Sequence, residues 1–291
     1  MISTILLTGS RGVIGKQLYA ALVANKYQVI GTKRAEQISI SGNDEMILTP
    51  WSKNLNCDYE PDLIIHLGGY YGVENNPTEM QKTFDANVGL ASSLAQIIVE
   101  RKIPIIAIGS FSEKYPGVEG LTYYAESKIA GKNILREAAD QAGVPFKYLY
   151  LYDTYSSDTS RKKFIDLLFN FQISGVPIEA SPGFQVQDLV LIDDINACIV
   201  KLISNLQGDN NMSSEYQIRT GKEYTLLETA EIVQSIIGFK VDIRWGSFGY
   251  RPRAFFRLWD CAENLNSMED TTTLSDGINK VWKLIRDKPK I

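Results

Sequence analysis

Thr8-Gly9-Ser10-Arg11-Gly12-Val13-Ile14-Gly15 joins an apolar run to a helical pattern, and its reading decides the fold. Upstream, Ile2-Ser3-Thr4-Ile5-Leu6-Leu7 is short and apolar, as a buried strand is. Downstream, residues 15–24 carry Leu18, Ala21 and Leu22 at helical spacing. Glycines in such a turn permit a sharp bend, close backbone approach to a pyrophosphate, and tight packing of helix on strand. The helix start beyond them offers unpaired N–H groups and positive partial charge to a phosphate. The spacing is G-x-x-G-x-x-G rather than G-x-G-x-x-G, so the loop gains its weight from the chain around it.

That chain alternates. Residues 27–32 read as a strand, as do residues 62–67, which Gly68-Gly69 closes. A long amphipathic helix is expected over 83–101, a strand over 104–108, a helix over 122–142 and a strand over 146–151. Strand and helix in this order predict a doubly wound parallel sheet with helices on both faces and right-handed crossovers. The second half is less regular: helix 161–174, strand 187–192, Asp193-Asp194 as an N-cap for a helix over 195–205, strand 215–219, helix 225–237, strand 241–244 and helix 274–286. The expected division is a dinucleotide-binding domain over 1–155 and a smaller C-terminal α/β substrate-binding lobe over 156–291. Segments near 185–206 are expected to return to the main domain.

Composition narrows the chemistry. The 291 residues are 44% hydrophobic and 22% charged, an ordinary globular balance. A net charge of −4 and a pI near 5.3 give no electrostatic case for nucleic acid or an acidic membrane. Cys57, Cys198 and Cys261 are widely spaced and include no CxxC pair, which suits a reduced compartment and excludes a disulfide framework. The single histidine, His66, rules out a multi-histidine metal centre and leaves a Ser-His-Asp triad only if His66 serves. No metal is expected. No apolar run reaches the length of a membrane span, and the N-terminus lacks a signal-peptide pattern. The expectation is a cytoplasmic enzyme without nucleic-acid or membrane partners; a homodimer is one assembly open to it.

The end of the second strand bears on the cofactor. A dinucleotide-binding fold that takes NAD usually has Asp or Glu there for the ribose 2′-hydroxyl, whereas a basic residue accommodates a 2′-phosphate. Here the chain reads Thr32-Lys33-Arg34, with no acid before Glu36, and Arg11 in the glycine loop is a third cation. The reading is NADP(H), with NAD as the alternative if these cations are merely solvated. Further on, Tyr124-Ala125-Glu126-Ser127-Lys128 places a phenol and an ammonium at i and i+4, on one helix face. A nearby ammonium favours the phenolate, and a phenol so tuned serves as general acid for carbonyl reduction or base for alcohol oxidation. Tyr123 is out of register with Lys128 and reads as a packing or substrate-side residue.

Taken together, these residues resemble the extended short-chain dehydrogenase/reductases, the nucleotide-sugar epimerase/dehydratase/reductase group, over nearly the whole chain. The resemblance rests on the glycine loop, His66-Leu67-Gly68-Gly69, Asn87, the strand ending in Gly109-Ser110, and the Tyr124/Lys128 pair. It continues through Asp153-Thr154-Tyr155, Gln187-Asp188 to Asp193-Asp194, and Thr273 to Ile278. It implies a Rossmann sheet and assigns roles by position. Ser110 corresponds to the hydroxyl that bonds the reacting carbonyl, with Ser112 as its competitor and substrate-side neighbour. Tyr124 corresponds to the acid/base, and Lys128 to the residue that holds the nicotinamide ribose. Gly9, Ser10, Arg11, Gly12, Val13, Ile14, Gly15, Thr32, Lys33, Arg34, Leu67, Gly68, Gly69, Asn87, Leu151 and Thr154 would line the cofactor. Tyr70 and Arg251, with Arg253 as its alternative, would meet a nucleotide-diphosphate sugar, guanidinium matching phosphate through paired hydrogen bonds.

Tyr70-Tyr71-Gly72, Ser110-Phe111 and Glu215-Tyr216-Gln217-Ile218 echo the CDP-paratose/CDP-abequose synthase-like branch, which reduces a 4-keto group on a nucleotide-linked deoxyhexose with NADPH. Gln187 departs from the family's arginine, and the G-W-x-P element is absent. No Asp-Glu pair directly follows Ser110, which disfavours a 4,6-dehydratase. A 4-ketoreductase is the leading reading. A 4-epimerase with tightly bound NAD and a non-catalytic NADP(H)-sensing protein are the alternatives, and the retained Ser110/Tyr124/Lys128 set argues against the last.

Overall fold

Runs of β-branched and leucine residues between turns carry the chain into strands that the intervening helices connect. In the computed structural model, residues 2–33, 45–47, 60–71, 76–116, 122–206, 213–250, 254–266 and 271–287 are described. In chain order the first half contains β1 (Thr4–Thr8), α1 (Val13–Ala24), β2 (Gln28–Lys33), β3 (Glu45–Ile47), β4 (Leu63–His66), α2 (Pro77–Phe84), α3 (Leu90–Arg101), β5 (Ile105–Ser110), α4 (Tyr123–Ala142) and β6 (Phe146–Leu151). A π-helical turn, Asp85–Gly89, runs α2 into α3, and a 3-10 turn, Phe111–Lys114, follows β5. Then come β7 (Asp153–Tyr155), α5 (Phe164–Ser174), β8 (Ile178–Ala180), β9 (Val186–Gln187), β10 (Leu189–Leu191), α6 (Ile192–Asn205), β11 (Ser213–Ile218), β12 (Tyr224–Thr225), α7 (Leu226–Ile237), β13 (Ile243–Trp245), β14 (Glu263–Asn264) and α8 (Leu274–Arg286).

The main sheet has eight strands in the order β14-β11-β6-β5-β4-β1-β2-β3, and β3 through β6 pair in parallel. β1 lies inside the sheet, paired with β2 and β4, so the loop after it starts from a strand supported on both edges. One face presents Leu6, Ile64, Ile105, Phe146 and Tyr148 to Leu94, Ile98, Leu135 and Ala139 of α3 and α4. The alternate residues Ile5, Leu7, Ile65, Ile106 and Leu149 are fully buried as well. Burial on both faces is what a parallel sheet flanked by helices requires, at about 1.5–3 kcal/mol for each large apolar side chain.

By internal contact density the chain forms two units, one of residues 1–151, 196–217 and 261–263, the other of 152–195, 218–260 and 264–291. The second has its own core, in which Phe169, Leu189, Val233 and Ile278 meet.

Three elements differ from the sequence expectation. The helix expected from residue 83 begins at Pro77, where Asn76 caps it by accepting the Glu79 N–H, and continues through the π turn into α3. Residues 187–192 split into β9 and β10 about the fully buried Asp188. Helix α6 starts at Ile192, so Asp193 and Asp194 lie in its first turn instead of before it. Asp194 there accepts from the N–H and hydroxyl of Thr272, and Asp193 pairs with Lys280.

Candidate active site

The glycine loop is built by close backbone contact. Gly9 has φ +72°, and a Cβ there would stand 2.8 Å from the Gly68 nitrogen. A Cβ on Gly15 would fall 2.0 Å from the Gly9 carbonyl oxygen. Only hydrogen fits at either point. A Cβ on Gly12 would meet nothing nearer than that same oxygen at 3.3 Å, so its backbone is open on the outer side. Gly12 caps α1 with no side chain satisfying the first turn, and that turn contains no acid. Unpaired N–H groups behind an open glycine fit the pyrophosphate of a dinucleotide. Val13 and Ile14 begin the helix. Ser10 donates its hydroxyl to the Thr32 carbonyl at 3.1 Å, tying the loop to the end of β2, and Arg11 is exposed. Lys33 is the last residue of β2. Arg34, Arg251 and Arg253 lie outside the described residues.

The end of β4 locks onto this loop. The Leu67 N–H donates to the Thr8 carbonyl and the Gly68 N–H to the Thr8 hydroxyl, which also bonds His66 Nδ1 at 2.7 Å. Burial, with Lys128 adding to it, depresses the His66 pKa to about 3, so the imidazole is neutral near pH 7. Its place is structural.

Asn87, in the π turn, is buried and uses both ends of its amide. Its Oδ1 accepts the Tyr70 N–H at 2.7 Å; its Nδ2 donates to the Tyr70 carbonyl and to Ser127 Oγ. Ser127 in turn donates to the Tyr124 carbonyl. The segment after β4 is thereby fixed to the first turns of α4, and the π turn supplies the local bulge that aims Asn87 inward. A Cβ on Gly69 would sit 2.9 Å from Asn87 Oδ1 and 3.9 Å from Lys128 Nζ. Glycine keeps that approach clear.

Tyr124 and Lys128 lie one turn apart in α4, whose start Thr122 caps by accepting the Ala125 N–H. Burial lowers the Lys128 ammonium from its usual range, opposed by the Glu113 carboxylate. The sequence reading expects Lys128 to make the Tyr124 phenol more acidic. In the structure burial raises the phenol pKa above its ordinary value, with the Glu113 charge and Tyr71 acting in the same direction. Ser110 ends β5, and its Oγ lies 2.9 Å from that of Ser112. Leu151 is directly opposite Ser110 in β6. In the second unit, Thr154 is buried, and both its hydroxyl and its carbonyl accept from Arg161.

Several residues of this site were not singled out in the sequence. Tyr70 points its hydroxyl at Glu79, whereas the ring beside Tyr124 is that of Tyr71, edge-on at 4.9 Å and 58% exposed. Glu113 is 2% exposed; it accepts the Ser110 N–H at 2.7 Å and the Tyr148 hydroxyl at 3.0 Å. The spacing Ser110-Phe111-Ser112-Glu113 is that of a capping box, a signal that could have found it. Tyr148 and Tyr150, which the sequence places only within a strand, also carry hydrogen bonds. Lys132 donates to the Tyr150 hydroxyl and lies over both rings, and Tyr150 donates to Glu215.

Residues 5–218 match the family described as the NAD dependent epimerase/dehydratase family. The chain is 29% identical over 243 residues to the CDP-abequose synthase of Yersinia pseudotuberculosis, covering 80% of this chain and 84% of that one. It is 24% identical over 268 residues to a putative UDP-glucose 4-epimerase of Methanocaldococcus jannaschii, covering 81% and 83%. Among solved structures, MoeE5 in complex with UDP-glucose and NAD superposes with a TM-score of 0.83 at 20% identity, over 98% of this chain and 99% of that one. The UDP-glucuronic acid 4-epimerase of Bacillus cereus, in complex with UDP-glucuronic acid and NAD, gives 0.76 at 19% identity, over 97% and 99%. These two likenesses establish the fold.

Proposed function

Because the chain belongs to the NAD dependent epimerase/dehydratase family, we propose that it is an NADPH-dependent reductase of the 4-keto group of a nucleotide-linked deoxyhexose, CDP-linked first among candidates. The observation that carries this reading is the pairing of a half-buried Tyr124 with a buried Lys128 one turn on in α4, with the phenol held in its proton-bearing form. A phenol that carries its proton at neutral pH is in the form a general acid needs to protonate a carbonyl oxygen, with Lys128 and a bound cofactor's positive ring available to make it more acidic. Similarity to the CDP-abequose synthase supports the substrate class. The end of β2, Thr32-Lys33, has no carboxylate to repel a 2′-phosphate, which supports NADPH.

On this reading the glycine loop holds the pyrophosphate, Gly68 and Gly69 leave room beside it, and Lys128 holds the nicotinamide ribose. The bound cofactor supplies the hydride. Ser110 orients the carbonyl oxygen by a hydrogen bond, and Tyr124 delivers the proton. Arg251, or Arg253, clamps the diphosphate of the sugar nucleotide.

A second reading, a 4-epimerase that keeps NAD bound, is favoured by the solved neighbours, 4-epimerases with NAD among them. The two separate in one assay, which follows NADPH absorbance and sugar composition against a panel of nucleotide-linked 4-keto-6-deoxyhexoses and the matching 4-hydroxy sugars. Stoichiometric oxidation with a CDP-linked member supports the reductase. Interconversion of sugars with no added cofactor consumed transfers the assignment to the epimerase.

A further inference from the structure

The segment that leaves β4 runs along the face of α4 that carries Tyr124 and Lys128. A Cβ on Gly69 would stand 3.9 Å from Lys128 Nζ, and two residues on the Tyr71 ring meets the Tyr124 ring edge-on at 4.9 Å. Between these points residue 70 is pinned. Its N–H and its carbonyl are both held by the Asn87 amide, at 2.7 and 3.1 Å. The same amide donates to Ser127 Oγ at 2.8 Å, and Ser127 donates to the Tyr124 carbonyl at 2.7 Å. One buried side chain therefore fixes the Tyr71 segment and the Tyr124 backbone relative to each other.

A ring held this way does not fill a core. Tyr71 is an exposed side chain, and Tyr124 beneath it is only half-buried. The hydroxyl of the neighbouring Tyr70 is turned away to Glu79 at 2.6 Å. What the segment offers beside Tyr124 is thus the apolar ring of Tyr71. A phenol that exchanges a proton with a substrate oxygen must come within about 3 Å of it, which brings the carbons on either side of the reacting one toward that ring. A methyl or methylene group pressed on a ring gains by leaving water, whereas a hydroxyl there gives up its water for a surface without donor or acceptor.

We infer that Tyr71 is a specificity-determining residue of this site: its ring walls the sugar next to the carbon that Tyr124 serves, and favours a deoxygenated neighbour, a methylene at C3 or a methyl at C6, over a hydroxyl. The inference deepens the reductase reading and rests on it for the role of Tyr124 and for the substrate class. The substrate-side role expected of Tyr70 passes to the next residue.

The test reads binding, which does not depend on the direction of the chemistry. Tyr124→Phe keeps the ring that Tyr71 meets and removes the proton, so the sugar is not consumed. In this background, with NADP+ or NAD+ present, calorimetry gives the Kd of a hexose, its 6-deoxy form and its 3,6-dideoxy form, each with a free 4-hydroxyl. All three are linked to whichever of CDP, UDP and dTDP raises the melting temperature most. At least one deoxy form is expected to bind about tenfold tighter than the parent hexose. Adding Tyr71→Ala brings the three within twofold of one another, and Tyr71→Ser does the same and decides the matter if the alanine variant does not fold. Tyr71→Phe and Tyr70→Phe keep the preference. A merely structural role would weaken all three sugars alike. A preference that survives Tyr71→Ala overturns the inference, even if the chain reduces a 4-keto sugar, and so does a parent hexose bound as tightly as its deoxy forms or no sugar bound at all. A preference lost with Tyr71→Ala, in a chain that oxidises no NADPH with any 4-keto sugar, upholds the contact and rejects the reductase reading instead.

Discussion

At the ends of β1 and β4, backbone meets backbone with only hydrogen atoms between, and the polar groups there are neutral: Thr8, a neutral His66, and the N–H groups of Leu67 and Gly68. At the ends of β5 and β6 in the same sheet, the space is filled by long polar side chains: Glu113 on the Tyr148 hydroxyl, and Lys132 over the Tyr148 and Tyr150 rings, paired with Glu215. The first arrangement leaves room and unpaired N–H groups for an anion brought from outside. The second is filled by its own side chains, which hydrogen-bond to one another. One strand end leaves room for a ligand; the other is closed by its own hydrogen-bonded side chains.

Substitutions at the two ends should therefore fail differently. The largest effect is expected at the charged end. Tyr124→Phe removes the transferable proton and leaves the ring, so turnover should fall by about 10²–10⁴ while cofactor binding, read by thermal shift, stays near that of the wild type. Turnover within a few-fold of wild type would remove Tyr124 from the chemistry.

At the glycine end the loss should be in folding. Gly15→Ala pushes a methyl group onto the Gly9 carbonyl, and urea unfolding should show a destabilisation of about 3 kcal/mol together with weaker cofactor binding. An alanine variant as stable as the wild type would contradict the packing described for the loop.

His66 yields a smaller, pH-dependent effect. Its folded pKa of about 3 lies below the ordinary 6.5, so the unfolded chain binds the extra proton and stability falls as pH drops through that interval. The cost should be about 2 kcal/mol at pH 5 relative to pH 7, from this group alone. His66→Gln should flatten that part of the urea-stability profile, and an unchanged slope would mean the ring gains its proton without penalty. The smallest effect is on cofactor choice. Lys33→Ala with Arg34→Ala should reduce a preference for NADPH over NADH by about tenfold, mainly through KM. An unchanged preference would leave Arg11 as the discriminating cation.

Much of the glycine end was legible in the sequence because its physics is local. Gly9, Gly12 and Gly15 are neighbours in the chain, and a strand-to-helix turn with that spacing has few other uses. The i, i+4 spacing of Tyr124 and Lys128 is local in the same sense. The charged end was not legible. Glu113, Lys132, Tyr148 and Glu215 come from a turn, a helix and two strands, and only the order β11-β6-β5 in the sheet gives them a common neighbourhood. Alternating tyrosines in β6 satisfy a packing expectation equally well, and their hydrogen bonds depend on partners 35 and 65 residues away. The choice between Tyr70 and Tyr71 likewise turned on where Glu79 sits, one helix later.

The central claim, that this site delivers a proton to a carbonyl which receives hydride from an added cofactor, is tested most directly by isotope transfer. NADPH carrying deuterium at its transferable position is supplied with a CDP-linked 4-keto-6-deoxyhexose, and the product is examined by mass spectrometry and NMR. The account predicts one deuterium on the carbon that bore the ketone, one NADPH oxidised per sugar reduced, and neither product nor label with Tyr124→Phe. An unreduced ketone with the added NADPH intact, together with label-free interconversion of the matching CDP-linked 4-hydroxy sugar and its C4 epimer, would contradict it.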